Sequence, residues 1–377
     1  MTGRIAGRRV LIDATGASIG GGYTYLVNVI PRLCGGAPKT EFRLVIRHEG
    51  LRDAIPPQAN LSVDCLPGGS VPARLAHVFL KMPALAAEWR ADLYFAVGEV
   101  APYRMDCPMI ASFRNATIFE KKIKQRSRYE RLRVGVLKQV SRLAARRCDR
   151  VLFVSEDSAS WIGELMKIPP RKSVVVPHGI DAAAWSEATP HAHPRPYILT
   201  VGSIYFFKNY VRLIEAWAAL ASEDPATPDL VIIGDEYDVE YREKMARACE
   251  ALGELGERVS IKGAVPYAEI RSYYAGAEAF VLASYLETFG HPLLEAMAAG
   301  IPLVASDIPV FREIAGHAAA YADPMDSADI ARALREALGS ERAAELVRQG
   351  RERIQAFTWD HTATRLIELF ADTIESA

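Results

Sequence analysis

Residues 284–307 read SYLETFGHPLLEAMAAGIPLVASD, and they lay out one complete structural unit. Val281 and Leu282 just before it end a strand. Pro292 suits the first turn of a helix, where no N–H is needed, and Glu295, Ala296, Met297 and Ala298 continue that helix. Gly300 is a fitting stop, and Ile301–Ser306 is the next buried strand. Strand, loop, helix and strand in this order predict a parallel sheet with helices on its faces.

The same alternation extends to either side. Downstream of residue 196, Tyr197–Val201, Leu230–Ile233, Val259–Lys262, Ala279–Leu282 and Pro302–Ala305 are strand candidates. Between and after them, Val211–Leu220, Glu240–Leu252, Ala268–Ala275, Pro292–Ala299 and Ala328–Leu338 are helix candidates. In the first half the strands are Val10–Asp13, Phe42–Ile46, Asp92–Phe95, Met109–Ser112, Arg150–Val154 and Ser173–Val176. The helices there are Tyr23–Leu33, Ala73–Trp89, Arg126–Ala145 and Ser158–Met166. The stretch DAAAWSEATPHAHPRP at 181–196 breaks the pattern with three prolines and reads as a linker.

The expected organisation is therefore an N-terminal domain over 1–183, a linker over 184–196, a second domain over 197–357 and a closing helix over 358–377. One large α/β domain is the alternative. The length of 377 residues agrees with two domains of roughly 150–200 residues each. Half the residues are apolar and the net charge is −1, so no overall field points to nucleic acid. Five scattered cysteines leave no pattern for a disulfide framework or a zinc site. The N-terminus carries no apolar run that would read as a signal peptide, and no stretch is long enough to span a bilayer.

Glu287 and Glu295 stand on either side of a predicted helix N-terminus. That end offers free N–H groups and partial positive charge, which suits a phosphate. Gly290 lets the backbone come close to a ligand. A carboxylate beside a diphosphate is repelled unless it faces hydroxyls, so the two glutamates make sense as acceptors for sugar and ribose hydroxyls. The plain alternative is a loop and helix bearing two solvated glutamates.

The string ETFGHPLLEAMAAGIPLVAS resembles the donor motif of the retaining, GT-B-type glycosyltransferases, a family with many bacterial mannosyl- and glucosyltransferases. The resemblance implies two Rossmann-like doubly wound domains facing each other across a cleft. It gives Glu287 the transferred sugar and Glu295 the ribose. Backbone amides near Phe289, Gly290, His291 and Leu293 would hold sugar and phosphate, while Pro292 has none to give. ILTVGSIYFFKN at 198–209 is similar to the loop whose lysine, here Lys208, binds the diphosphate. Where the family often has a second cation this chain has Ser203. IKGAVPYAEI at 261–270 resembles the loop that holds the base, around Val265. The first glycine-rich loop, with Gly20, Gly21 and Gly22, matches in position but lacks the dinucleotide fingerprint, which disfavours NAD.

Two further positions depart from the family. Where relatives carry a His-Asp pair that reaches the sugar, this chain has Arg114-Asn115. Arginine is always charged and donates in a planar fork, so Arg114 either binds sugar or phosphate or serves as a structural ion-pair residue. His178 stands where Asn is usual and reads as structural more readily than catalytic.

Between Glu120 and Arg150 basic residues greatly outnumber acidic ones. This region either contacts an anionic membrane or a lipid-linked acceptor, or is a solvated helix face.

The expected activity is transfer of a sugar from GDP-mannose or a UDP-sugar to a hydroxyl of a glycan or lipid-linked acceptor, without a metal or other cofactor. The expected setting is bacterial surface polysaccharide synthesis, in the cytoplasm or at the inner membrane face. A nucleotide-sugar epimerase of the same architecture and a non-catalytic binding subunit are the alternatives.

Overall fold

The computed structural model describes residues 3–16, 21–119 and 128–377. The chain divides into two compact units, one made of Met1–Gly179 with Trp359–Ala377, the other of Ile180–Thr358.

The first unit is built on β1 (Arg9–Asp13), β2 (Glu41–Ile46), β3 (Leu61–Cys65), β4 (Leu93–Ala96), β5 (Met109–Phe113), β6 (Arg150–Phe153) and β7 (Ser173–Val175). They form one sheet in the order β3-β2-β1-β4-β5-β6-β7, and every pairing is parallel. Successive residues of β1 face opposite ways, as a pleat demands. Val10 and Ile12 join a core shared with the helices Gly21–Gly36 and Trp359–Glu375, while Leu11 joins a second core with Tyr94, Phe113 and Phe153.

The second unit holds β8 (Tyr197–Val201), β9 (Asp229–Ile233), β10 (Val259–Ile261), β11 (Ala279–Leu282), β12 (Leu303–Ser306) and β13 (Ala320–Ala322). Their order is β10-β9-β8-β11-β12-β13, again all parallel. Every residue of β8, β9 and β11 is buried, because helices cover both faces. In both sheets the strand order reverses beside the first strand, between β1 and β4 and between β8 and β11. Such a switch point leaves a crevice at the carboxyl ends of the strands, where ligands of these folds bind.

Several boundaries differ from expectation. The units part between Gly179 and Ile180. The segment read as linker begins with a short helix, Ala182–Ser186, capped by the Asp181 side chain and anchored by buried Trp185 against Tyr274. Its three alanines favour helix, and one large apolar side chain suffices to dock it. The expected helix 73–89 is helical at Val71–Ala76, widens into a π turn at His77–Lys81 and resumes at Met82–Trp89. Pro83 lacks an N–H and crowds the carbonyl one turn earlier, and the wider turn accommodates it.

Candidate active site

In the second unit, Lys208 and Glu287 come from loops 79 residues apart in sequence and meet at 2.5 Å, Nζ to Oε1. Lys208 closes a 3-10 turn, Phe206–Lys208, after β8. Asn209 next to it takes the left-handed conformation, φ 65°, and its amide donates to the Pro324 carbonyl at 2.6 Å. Glu287 sits in the loop after β11. The Tyr285 N–H donates to the Phe207 carbonyl at 3.0 Å, so the two loops are tied together beside the switch point. The Tyr210 hydroxyl donates to the Gly202 carbonyl at 2.6 Å, and a Cβ on Gly234 would lie 1.9 Å from that same oxygen. The strand ends thus approach more closely than any side chain would allow. Ser203 follows this crossing, half-buried, and adds no charge.

Gly290 is left-handed at φ 83°, and a Cβ there would come within 2.6 Å of the Phe311 ring. It starts the helix His291–Ala299, which Gly300 ends at φ 72°. Phe289 is buried beside His291 and Phe357, so its backbone rather than its ring is open to a ligand role. The Leu293 N–H donates to the Gly290 carbonyl at 2.9 Å, which leaves the amides nearer the helix start better placed to meet a ligand. Val265 is half-buried in the loop after β10, near Gly263, whose carbonyl accepts from the Gly234 N–H at 2.9 Å.

Glu295 is buried and accepts from the Tyr274 hydroxyl at 2.8 Å. Burial pushes its pKa up to about 7, partly opposed by that hydrogen bond and by Arg271. One turn earlier, burial pushes His291 down to about 4, so its ring is neutral near pH 7. His291 can therefore bring polarity but no positive charge to this helix end.

The first unit holds the other expected residues. Gly21 and Gly22 open the helix Gly21–Gly36, and Gly20 lies outside the described residues. Arg114 follows β5 with its guanidinium 3.6 Å over the Tyr25 ring, and its Nε donates to Ser112 Oγ at 2.7 Å. Both of these partners belong to the first unit. His178 is buried between Tyr25 and Trp359, which fits the structural reading.

Two family models account for nearly the whole chain. One, described as glycosyl transferases group 1, matches residues 181–353, and the other, glycosyltransferase family 4, matches residues 26–184. This chain belongs to the GT-B glycosyltransferases. Among curated relatives, the O-antigen chain mannosyltransferase B of Escherichia coli is 30% identical over 178 residues, 46% of this chain and 45% of that protein. Mannosylfructose-phosphate synthase of Agrobacterium fabrum is 31% identical over 180 residues, 46% of this chain and 39% of that protein. The matched segments thus span less than half the length of these relatives. Sucrose-phosphate synthase from Thermosynechococcus elongatus aligns over 98% of this chain and 100% of its own, with a TM-score of 0.77 at 18% identity. Anabaena HepE in complex with UDP and glucose aligns over 97% and 100%, with a TM-score of 0.73 at 17% identity.

Other polar residues of this GT-B chain escaped the sequence reading. Glu99, just after β4, accepts from the backbone N–H groups of Arg114 and Asn115 at 3.0 and 2.7 Å. Asp13, at the end of β1, accepts from the Tyr94 hydroxyl at 2.6 Å and from Thr15. Their position at the carboxyl ends of strands was the available signal. Among the described residues no group of His, Cys, Asp and Glu is arranged to hold a metal, and no helix is long and apolar enough to cross a membrane.

Proposed function

We propose that this chain transfers a sugar from a nucleotide diphosphate sugar to a hydroxyl of a glycan or lipid-linked acceptor, with retention at the anomeric carbon. The observation that carries this reading is the Lys208–Glu287 pair at the switch point of the second unit. A cation and a carboxylate held side by side suit the two halves of such a donor. The Lys208 ammonium offsets charge growing on the departing diphosphate. Glu287 accepts hydrogen bonds from hydroxyls of the transferred sugar, and Glu295 from the ribose.

In this scheme the bond from the anomeric carbon to the diphosphate breaks as the bond to the acceptor oxygen forms on the same face. The departing phosphate takes the acceptor's proton, so no protein nucleophile and no metal are required. Positioning and charge stabilisation remain the protein's task. Arg114 is assigned to the sugar or to a phosphate. The mannosyltransferase relatives and the UDP-bound HepE structure support GDP-mannose and UDP-sugars as first candidates. The O-antigen relatives support a role in surface polysaccharide synthesis.

A peripheral membrane contact belongs to the same reading. The helix Arg128–Arg147 carries Arg131, Arg133, Arg142 and Arg146, with Leu132 and Val136 exposed among them. Residues 120–127 of the basic region lie outside the described ones. Absence of binding to anionic liposomes at low salt would remove this contact from the proposal.

The central test is thermal stabilisation by GDP, UDP, ADP and their sugar conjugates, followed by transfer assays. One nucleotide should raise the midpoint, and Glu287→Ala should abolish transfer while that nucleotide still binds. Turnover of the donor without any acceptor would favour the epimerase instead. No shift with any nucleotide in a folded sample would favour the non-catalytic subunit.

A further inference from the structure

Glu295 owes its position to a residue on another helix. Tyr274 stands on the helix Tyr267–Ala275 and is fully buried. Its ring stacks on Phe280 of β11, with centroids 5.0 Å apart and planes at 19°, and meets Trp185 edge-on at 5.1 Å and 88°. Arg271, one turn before it, lies 5.7 Å over the Trp185 ring. Held on two sides, the Tyr274 ring sends its hydroxyl in one direction, and there it donates to Glu295 Oε2 at 2.8 Å. Oε1 is left 3.9 Å from Nδ1 of His291, beyond hydrogen-bond length, on the side of the helix start.

Few charged groups face this carboxylate. His291 is neutral near pH 7, because burial pushes its pKa down to about 4. Arg271 attracts it, Glu269 on the same helix as Tyr274 is exposed, and Ala182–Ser186 carries no charged side chain. On the helices packed behind, Arg312 is paired with Asp307, Arg351 lies beside Gly300 at the far end, and Arg353 donates to the Glu313 and Ile314 carbonyls. Burial raises Glu295 to about 7, and the Tyr274 hydrogen bond, followed by Arg271, opposes that rise. A hydrogen bond donated to a carboxylate favours its ionised form, and the ionised form is the stronger acceptor for a hydroxyl.

We propose that Tyr274 is a positioning residue for the donor, whose hydroxyl fixes the Glu295 carboxylate so that its other oxygen accepts from the ribose. This rests on the transferase reading above, which gives Glu295 the ribose, and adds to it a pH dependence of ribose recognition. Below about pH 7 the carboxyl takes up a proton and loses acceptor strength, so the preference for ribose rises as pH rises through that value.

The test is isothermal titration of the full chain with UDP and GDP, and with their 2′,3′-dideoxy counterparts, from pH 6 to pH 9. Dividing one affinity by the other cancels phosphate ionisation, which both ligands share, and leaves the ribose hydroxyls. For the nucleotide that binds, the wild type should prefer ribose roughly 10- to 100-fold at pH 8, the worth of a charge-assisted contact. That preference should be about 5- to 10-fold smaller at pH 6. Tyr274→Phe keeps both ring contacts and removes the hydroxyl. Its preference at pH 7 should fall at least about 5-fold and return in part at pH 9, with the dideoxy affinity unchanged. 3-Fluorotyrosine in place of Tyr274 is a stronger donor of nearly the same size and should move the rise to lower pH, which carries the test if Tyr274→Phe does not fold. Equal loss of both ligands at every pH in Tyr274→Phe, or a preference unchanged from the wild type, overturns the positioning role and leaves the transferase reading intact. A wild type that binds both ligands alike at every pH overturns the role together with the ribose assignment. No binding of either nucleotide by the folded chain fails the transferase reading and this role with it.

Discussion

Replacing Glu287 by Gln should tighten the binding of the nucleoside diphosphate alone while stopping transfer. In the free protein Lys208 is held by Glu287 at 2.5 Å, with side chains only 13% and 17% exposed. A diphosphate must therefore draw the ammonium away from a formed ion pair and settle beside a carboxylate of its own sign. At that distance an effective dielectric of about 20 gives a gross attraction of about 7 kcal/mol. Desolvation offsets most of it, and the residual water contact of both groups screens part of the rest. A net pairing of about 1–2 kcal/mol is what the diphosphate has to overcome. Glutamine keeps the shape and removes the charge, so the nucleoside diphosphate should bind roughly 5- to 30-fold more tightly. Transfer should fall by about 100- to 1,000-fold, because the sugar loses its charged acceptor in the transition state. Isothermal titration with the bare nucleoside diphosphate, alongside a transfer assay, reads both effects. Equal or weaker binding by a folded Glu287→Gln protein would refute the idea that this ion pair competes with the donor.

Three further outcomes follow from other parts of the molecule. Glu295 has a folded pKa of about 7 against an ordinary 4.5, so the folded chain holds a proton there that the unfolded chain releases first. Its contribution to stability is therefore greatest below pH 4.5 and declines as pH rises to about 7. Glu295→Gln should flatten that slope and be more stable at pH 8 by roughly 1–3 kcal/mol, read from urea midpoints at pH 5 and pH 8. Gly290→Ala meets both a left-handed backbone and the Phe311 ring, and should lose at least about 1–2 kcal/mol together with nucleotide affinity, measured by thermal shift and titration. Trp359→Ala empties a buried position against Tyr25 and His178, and should destabilise the first unit by about 3–5 kcal/mol in denaturant unfolding.

The strands legible in the sequence were those buried on both faces, such as Ile198–Val201 within β8, because continuous apolar runs announce themselves. The missed strand β3 has exposed Ser62 and half-buried Asp64 at alternate positions, on an edge of its sheet. The missed β13 is three small or aromatic residues long, too short for any period to show. The helix Ser340–Arg353 is missed for the opposite reason. It buries only Leu346 and Gly350, so its sequence looks like a solvated stretch. Lys208 and Glu287 were legible because each sits in a local string with its own signature. Asp13 and Glu99 were not, because each stands at the end of a different strand. Only the sheet order brings β1, β2 and β4 side by side.

The helix Trp359–Glu375 belongs to the first unit although the whole second unit intervenes before it, and Ile180 bridges Thr358 where the chain enters and leaves that second unit. Synthesis on the ribosome therefore inverts the order suggested by position. The later-made segment Ile180–Thr358 is continuous and can close its core as soon as it emerges. The earlier-made one waits with Tyr25, Val29 and Leu33 uncovered until the last helix arrives. During that interval the nascent chain presents a long apolar stripe to folding factors. Chaperone dependence in this protein should accordingly fall on the half that is translated first.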